Sequence, residues 1–203
     1  MSIDEDVVQA HSVAEAYLYL KVTRCRACGQ GPLNQTNDLT KTQSAPGGWS
    51  LKTRCGGCGR TDRLCFSITP TPTREGAESG VINPTPQRSQ AIDLLGWLTL
   101  FQAILEASAK ETNKESARQL VCEAGLCLDE AMKFYTAKEE LPSEDAFYSE
   151  DARRRFRDHP QQFAQSKWRE RRLRLPDARA RTRPADAPTR RRWWQLWRQK
   201  PRR

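Results

Sequence analysis

The apolar positions of this chain fall into two blocks of different texture, separated by a stretch nearly empty of them. In the first block, Tyr17, Leu18, Tyr19, Leu20 and Val22 make a β-prone run within residues 14–23, whose second half reads as a strand. Residues 33–43 are polar and threonine-rich, Gly47-Gly48 signals a turn, and Trp49 to Thr53 alternates apolar with polar. Leu64 to Ile68 supplies one more strand. The second block has a longer period. Ile92, Leu94, Leu95, Trp97, Leu98, Leu100, Phe101, Ile104 and Leu105 crowd the segment from Ala91 to Ala109, which predicts a buried helix entered from an N-cap at Ser89. Asp93 and Gln102 interrupt it, and it is too short to cross a bilayer. Leu120, Val121, Ala124, Leu128, Ala131, Met132 and Tyr135 recur at three- and four-residue spacing, predicting a helix over about 114–137. The short connection, Lys110 to Asn113, makes the pair an antiparallel hairpin. Pro142-Ser143-Glu144-Asp145 and His159-Pro160 read as further helix starts. Their apolar content is chiefly Phe147, Tyr148, Phe156, Phe163 and Trp168, so these helices are expected to be peripheral and marginal.

Pro70, Pro72, Pro84 and Pro86, with Gly76 and Gly80, mark residues 70–88 as a linker, because neither helix nor sheet tolerates that composition. Beyond Leu175-Pro176 the chain is Pro, Ala, Asp, Thr and Arg with few large aliphatics, which predicts a disordered tail over 176–203. The organisation expected is therefore a module over 1–69 with an acidic N-terminal extension, the linker, a helical region over 89–175, and the tail.

The chemistry is concentrated in the first module. Cys25-Arg26-Ala27-Cys28-Gly29 and Cys55-Gly56-Gly57-Cys58-Gly59 are two C-x-x-C-G motifs separated by 26 residues. Two residues between cysteines let both sulfurs of one tight turn face a common point, and two such turns complete a tetrahedron around one metal ion. The glycine after each pair suits a chain turning away with φ > 0. Cys25, Cys28, Cys55 and Cys58 are accordingly the candidate ligands of one structural Zn2+, with no position open to water or substrate. The motifs resemble those of a zinc ribbon over roughly residues 17–69. The resemblance implies an antiparallel β module with its knuckles at hairpin tips, and it leaves function open, since ribbons serve many roles. The fold class that follows is α+β: a small antiparallel zinc ribbon, then a helical hairpin with peripheral helices and a disordered basic C-terminal tail. Arg24, Arg26, Arg54 and Arg60 flank the knuckles and are expected to offset the negative charge of four thiolates, or to face phosphates. Cys65, Cys122 and Cys127 read as buried thiols, and His11 and His159 as surface or capping residues. Glu139-Glu140 and Glu144-Asp145 read as a loop and a helix start rather than paired catalytic carboxylates.

Charge divides the chain more sharply than its net +9 suggests, for residues 1–152 carry −6 and residues 153–203 carry +15. Arg153 to Arg155 and Arg169 to Arg174 are basic clusters, and the tail ends in Arg190, Arg191, Arg192, Trp193, Trp194, Trp197 and Arg198. Arginine forks take phosphates bidentately and exposed tryptophans stack on unpaired bases, so these seven tail residues are the candidate contacts for RNA or another single strand. The alternatives are an adaptor that binds only protein, and association of the Trp-bearing tail with an anionic membrane. No phosphate-cradling glycine loop or nucleophile elbow appears, so a non-enzymatic protein without a small-molecule substrate is expected. The acidic start and the lack of a long apolar run point to a cytoplasmic protein without a transmembrane segment, with its thiols reduced.

Overall fold

In the computed structural model, the structure describes residues 7–37, 39–41, 48–68, 82–83, 85–136 and 139–176, apart from the side chains of 40 and 41. The first strand, β1 (Val7–Ala10), leads at once into helix α1 (Val13–Val22). Ser12 caps it, its side chain accepting from the Glu15 N–H at 3.1 Å, and the Glu15 carboxylate in turn accepts from the His11 N–H. This helix replaces the strand expected in the same residues. The sequence signal misled for a physical reason. Leu18 and Leu20 are both buried although about 200° apart on a helix, because α1 lies between two cores and buries both flanks. Leu18 enters the helical core, while Ala16 and Leu20 enter the sheet core. A helix buried on two sides imitates the period of a strand.

The sheet comprises β1, β2 (Leu33–Gln35), β3 (Thr40–Lys41), β4 (Gly48–Cys55) and β5 (Thr61–Ile68), in the order β1-β5-β4-β2 with β3 also on β4. The β2, β3 and β5 pairings with β4 are antiparallel, whereas β1 joins β5 in parallel, with Val7 opposite Cys65. The expected all-antiparallel module thus carries one parallel edge. The inner face presents Leu33, Leu51, Leu64, Phe66 and Ile68 to Ala16 and Leu20 of α1, and the Tyr19 ring meets Phe66 edge-on at 5.9 Å.

The helical hairpin is α2 (Leu94–Lys110) and α3 (Lys114–Met132), capped by Asp93 and Asn113. Ser89 does not cap α2. Its hydroxyl accepts from the Ala91 and Ile92 amides in a preceding turn, and the helix starts at Asp93, whose carboxylate accepts from the Gly96 N–H at 2.7 Å. Helix α3 stops at Met132, short of the expected end, in a series of tight turns through Tyr135. A 3-10 turn at Glu144–Ala146 then precedes α4 (Glu150–Asp158), and another at Pro160–Phe163 precedes α5 (Gln165–Leu173). Helices α4 and α5 are peripheral as expected, with only Ala152 and Trp168 buried, but the aromatic residues of α5 and at the two 3-10 turns pack inward. Phe147, Phe163 and Trp168 are almost fully buried among Trp97, Phe101 and Leu128, with Trp168 edge-on to Phe101 at 5.9 Å. Few apolar residues suffice because each is aromatic and buries a large area.

The two halves touch at several points. Ser12 donates to the Ile82 carbonyl, Arg24 pairs with Asp151 at 2.9 Å, and Lys133 donates to the carbonyls of Asn83 and Thr85. The distal part of the expected linker is therefore packed, with Ile82 and Asn83 buried. Residues 70–81 and Pro84 of that linker, and the tail beyond Pro176, lie outside the described residues.

Candidate metal centre

Cys25 follows the C-cap of α1 at Thr23, and the chain turns through Cys28 and Gly29 into β2. Cys55 ends β4, and the turn through Cys58 and Gly59 opens β5. The second knuckle is thus a hairpin tip, as the ribbon resemblance implies, whereas the first joins a helix to a strand. The two are otherwise built alike. The amide of the first cysteine donates to the carbonyl five residues on, Cys25 to Gln30 at 2.6 Å and Cys55 to Arg60 at 2.8 Å. The glycine four residues on donates back, Gly29 to Cys25 at 2.8 Å and Gly59 to Cys55 at 3.0 Å. Both glycines have positive φ, +67° and +74°. A side chain at Gly29 would meet open space, so only backbone strain opposes it. Gly29→Ala is expected to cost about 1–2 kcal/mol of stability, measured by urea unfolding, with no packing contribution.

The register brings the knuckles together. Leu33 lies opposite Cys55, and the Gly56 N–H donates to the Pro32 carbonyl at 3.0 Å, which ties the chain leaving the first knuckle to the second. All four Sγ atoms lie within 4.8 Å of one another, with Cys28–Cys55 at 3.6 Å and Cys25–Cys58 at 3.8 Å. A tetrahedron with metal–sulfur bonds of about 2.3 Å has edges of about 3.8 Å, whereas a disulfide needs about 2.05 Å. The thiols are free and spaced as ligands of one ion. Cys25 and Cys55 are buried on the sheet side, and Cys28 and Cys58 are exposed at the tips. Local amides prepare the site unequally. The Cys58 amide first, with Gly57 also contributing, draws the Cys55 thiol down to about 6, whereas on Cys28 the lowering pull of the Gln30 amide is outweighed by partial desolvation and the other three thiols, which push it up to about 11. Four thiols so close cannot all ionise without a cation among them. The residues can hold a metal ion, and the donor set suits zinc.

The knuckle arginines have separate surroundings. Arg24 pairs with Asp151 of α4, while Arg60 lines a cleft of about 20 Å³ beside the first knuckle with Tyr19, Arg24 and Asp62. Several arginines of the folded basic clusters are bound to carboxylates: Arg153 and Arg157 to Glu150, Arg154 to Asp151, Arg172 to Asp129 and Arg174 to Glu170. The sequence clusters over 153–155 and 169–174 therefore present less free charge than their composition suggests. Arg190, Arg191, Arg192, Trp193, Trp194, Trp197 and Arg198 lie outside the described residues.

Cys122 and Cys127 are buried as expected, but Cys65 is only partly buried, on the outward side of β5. His11 contacts Glu15, and His159 sits between α4 and the 3-10 turn that follows. What composition and motif reading missed is a set of buried acids. Glu15, Glu123 and Glu130 are 0%, 5% and 3% exposed. Glu123 accepts from Gln119 at 3.1 Å, and Glu130 pairs with Lys133 at 2.8 Å. Burial pushes Glu123 up to about 8 and Glu130 up to about 7, the latter against the pull of Lys133. The available signal was their spacing, since Glu123, Cys127 and Glu130 share the stripe of α3 that carries Leu120 and Ala131.

No protein-family description matches the chain, and neither a curated protein nor a solved structure does. Among the described residues, no helix is long and apolar enough to cross a membrane.

Proposed function

We propose that this chain is a non-enzymatic binding protein, organised by one structural zinc ion at Cys25, Cys28, Cys55 and Cys58, that engages RNA or another single strand through its basic C-terminal end. The sulfur tetrahedron carries the zinc half of the reading. Four protein ligands leave no position for a substrate, and the cleft beside the first knuckle has room for about one water. A cytoplasmic location suits seven free cysteines.

The nucleic-acid half rests on charge segregation. With much of the arginine of α4 and α5 held by carboxylates, the surplus falls on residues 177–203, where ten Arg or Lys stand against two Asp. Polyanions are the partners such a segment fits. The test is fluorescence anisotropy of a labelled single-stranded RNA with the full chain and with a variant in which Arg190, Arg191, Arg192 and Arg198 become Ala. Binding that weakens steeply between 50 and 200 mM salt, and falls at least tenfold in the variant, is expected. No binding by the full chain at low salt would end the nucleic-acid reading in favour of an adaptor that binds protein.

A further inference from the structure

Among the described residues, the β-sheet has one face packed on α1 and one face open. Alternation along β4 turns Leu51, Thr53 and Cys55 inward and leaves Ser50, Lys52 and Arg54 outward. On β5, Leu64, Phe66 and Ile68 turn inward, leaving Thr61, Arg63, Cys65 and Ser67 outward. The antiparallel register places Lys52 directly opposite Arg63, with Arg54 beside Thr61 in the next pair on that face. All three cations are exposed. Their neighbours across the remaining pairings, Asn34 on β2 and Val7 and Gln9 on β1, are uncharged. Among the described residues the face has no carboxylate, and none of the three cations forms an ion pair.

That arrangement is unfavourable for the isolated fold. Like charges directly opposite on an antiparallel pair repel, and among the described residues no carboxylate on this face offsets them as so many offset arginines on α4 and α5; the adjacent acid, Asp62, lies on the other face and accepts from the Arg63 N–H at 2.8 Å. Arg54 extends the positive surface toward the metal centre, its guanidinium lying 3.6 Å from where a side chain on Gly59 would begin. A face that concentrates uncompensated cations, with its aromatic rings, Trp49 and Phe66, on the buried side, is complementary to a chain of phosphates and offers nothing for bases to stack on.

We propose that this open sheet face is a second nucleic-acid contact surface, on which Lys52, Arg54 and Arg63 each take a backbone phosphate of a single strand without reading its bases. The proposal rests on the nucleic-acid reading above and adds a site on the folded part of the protein. A strand held at both the tail and the sheet is bound at two linked places, which strengthens binding without sequence preference.

The experiment uses the full-length protein and labelled oligouridylate across a salt series. Lys52→Ala, Arg54→Ala and Arg63→Ala together are expected to reduce the slope of log affinity against log salt by about 2, at about 0.7 per phosphate on a single strand. Lys52→Arg, Arg54→Lys and Arg63→Lys together should keep the slope. Metal content should stay unchanged. Arg63→Glu places opposite charges across the strands, so it should weaken binding while the melting temperature holds or rises, an outcome that misfolding cannot produce. If the neutralised protein keeps its full slope while the tail variant loses binding, the sheet surface is overturned and the nucleic-acid reading stands. If the unsubstituted chain shows no salt-dependent binding, both fall.

Discussion

Cys28→Ser will release the metal and unfold the sheet half of the protein while the α2–α3 hairpin stays folded. Cys28 is exposed at the tip of its knuckle and contributes nothing to a core, so the substitution separates metal binding from packing. Among the described residues the sheet core has ten buried residues, two of them the ligands Cys25 and Cys55, and most of the knuckle region is surface. A module of that size buries too little to hold itself, and a structural zinc site contributes apparent free energies on the order of 10–16 kcal/mol at neutral pH. The helical core is twice as large, with twenty buried residues, of which only Leu18 comes from α1. Elemental analysis should read one zinc per chain before the substitution and none after. Hydrogen exchange should show residues 48–68 losing protection and residues 94–132 keeping it. A metal-free variant whose β4–β5 amides remain protected would show that the sheet folds without an ion and that the cysteines have another purpose.

The parts of this structure that were legible beforehand are those where one physical demand acts alone. A metal demands sulfurs at fixed separations, so two C-x-x-C-G motifs located the site and even its positive-φ glycines from spacing. The hairpin of α2 and α3 has a single apolar stripe per helix and was readable for the same reason. Where two demands overlap, the pattern fails. Helix α1 serves two cores at once, so its burial alternates as a strand's would, and only the Ser12–Glu15 capping pair betrays the helix. Around α4 and α5 the apolar residues are few, but Phe147, Phe163 and Trp168 each bury a large area, so their number understates the packing of this end of the chain. The cation row on the sheet was invisible for a different reason. Lys52 and Arg63 are eleven positions apart, and only the register of β4 on β5 sets them side by side.

Glu123→Gln will flatten the pH dependence of stability in the helical core. Glu123 is 5% exposed, Gln119 is its hydrogen-bond donor, and its second carboxylate oxygen is buried without a partner among the described residues. No cation compensates it, so burial disfavours the ionised form and raises the carboxyl from 4.5 to about 8. The sign follows from that direction. The folded state holds the proton more tightly than the unfolded chain, so the stabilisation is complete below about pH 4.5 and is lost as pH rises through about 8. Every tenfold gain in proton affinity on folding corresponds to about 1.4 kcal/mol, so the span is on the order of 5 kcal/mol, a large share of the stability of an ordinary domain. Glu130 adds a smaller slope of the same sign, because its partner Lys133 offsets part of the burial and holds it at about 7. Urea midpoints at pH 5, 7 and 9 should therefore fall steadily for the unsubstituted protein. Glutamine keeps the shape, can keep the contact with Gln119 and cannot ionise, so the variant should retain only the shallower Glu130 slope and become the more stable of the two at pH 9. Parallel slopes for both proteins would show that Glu123 ionises without cost, with water reaching it inside the bundle.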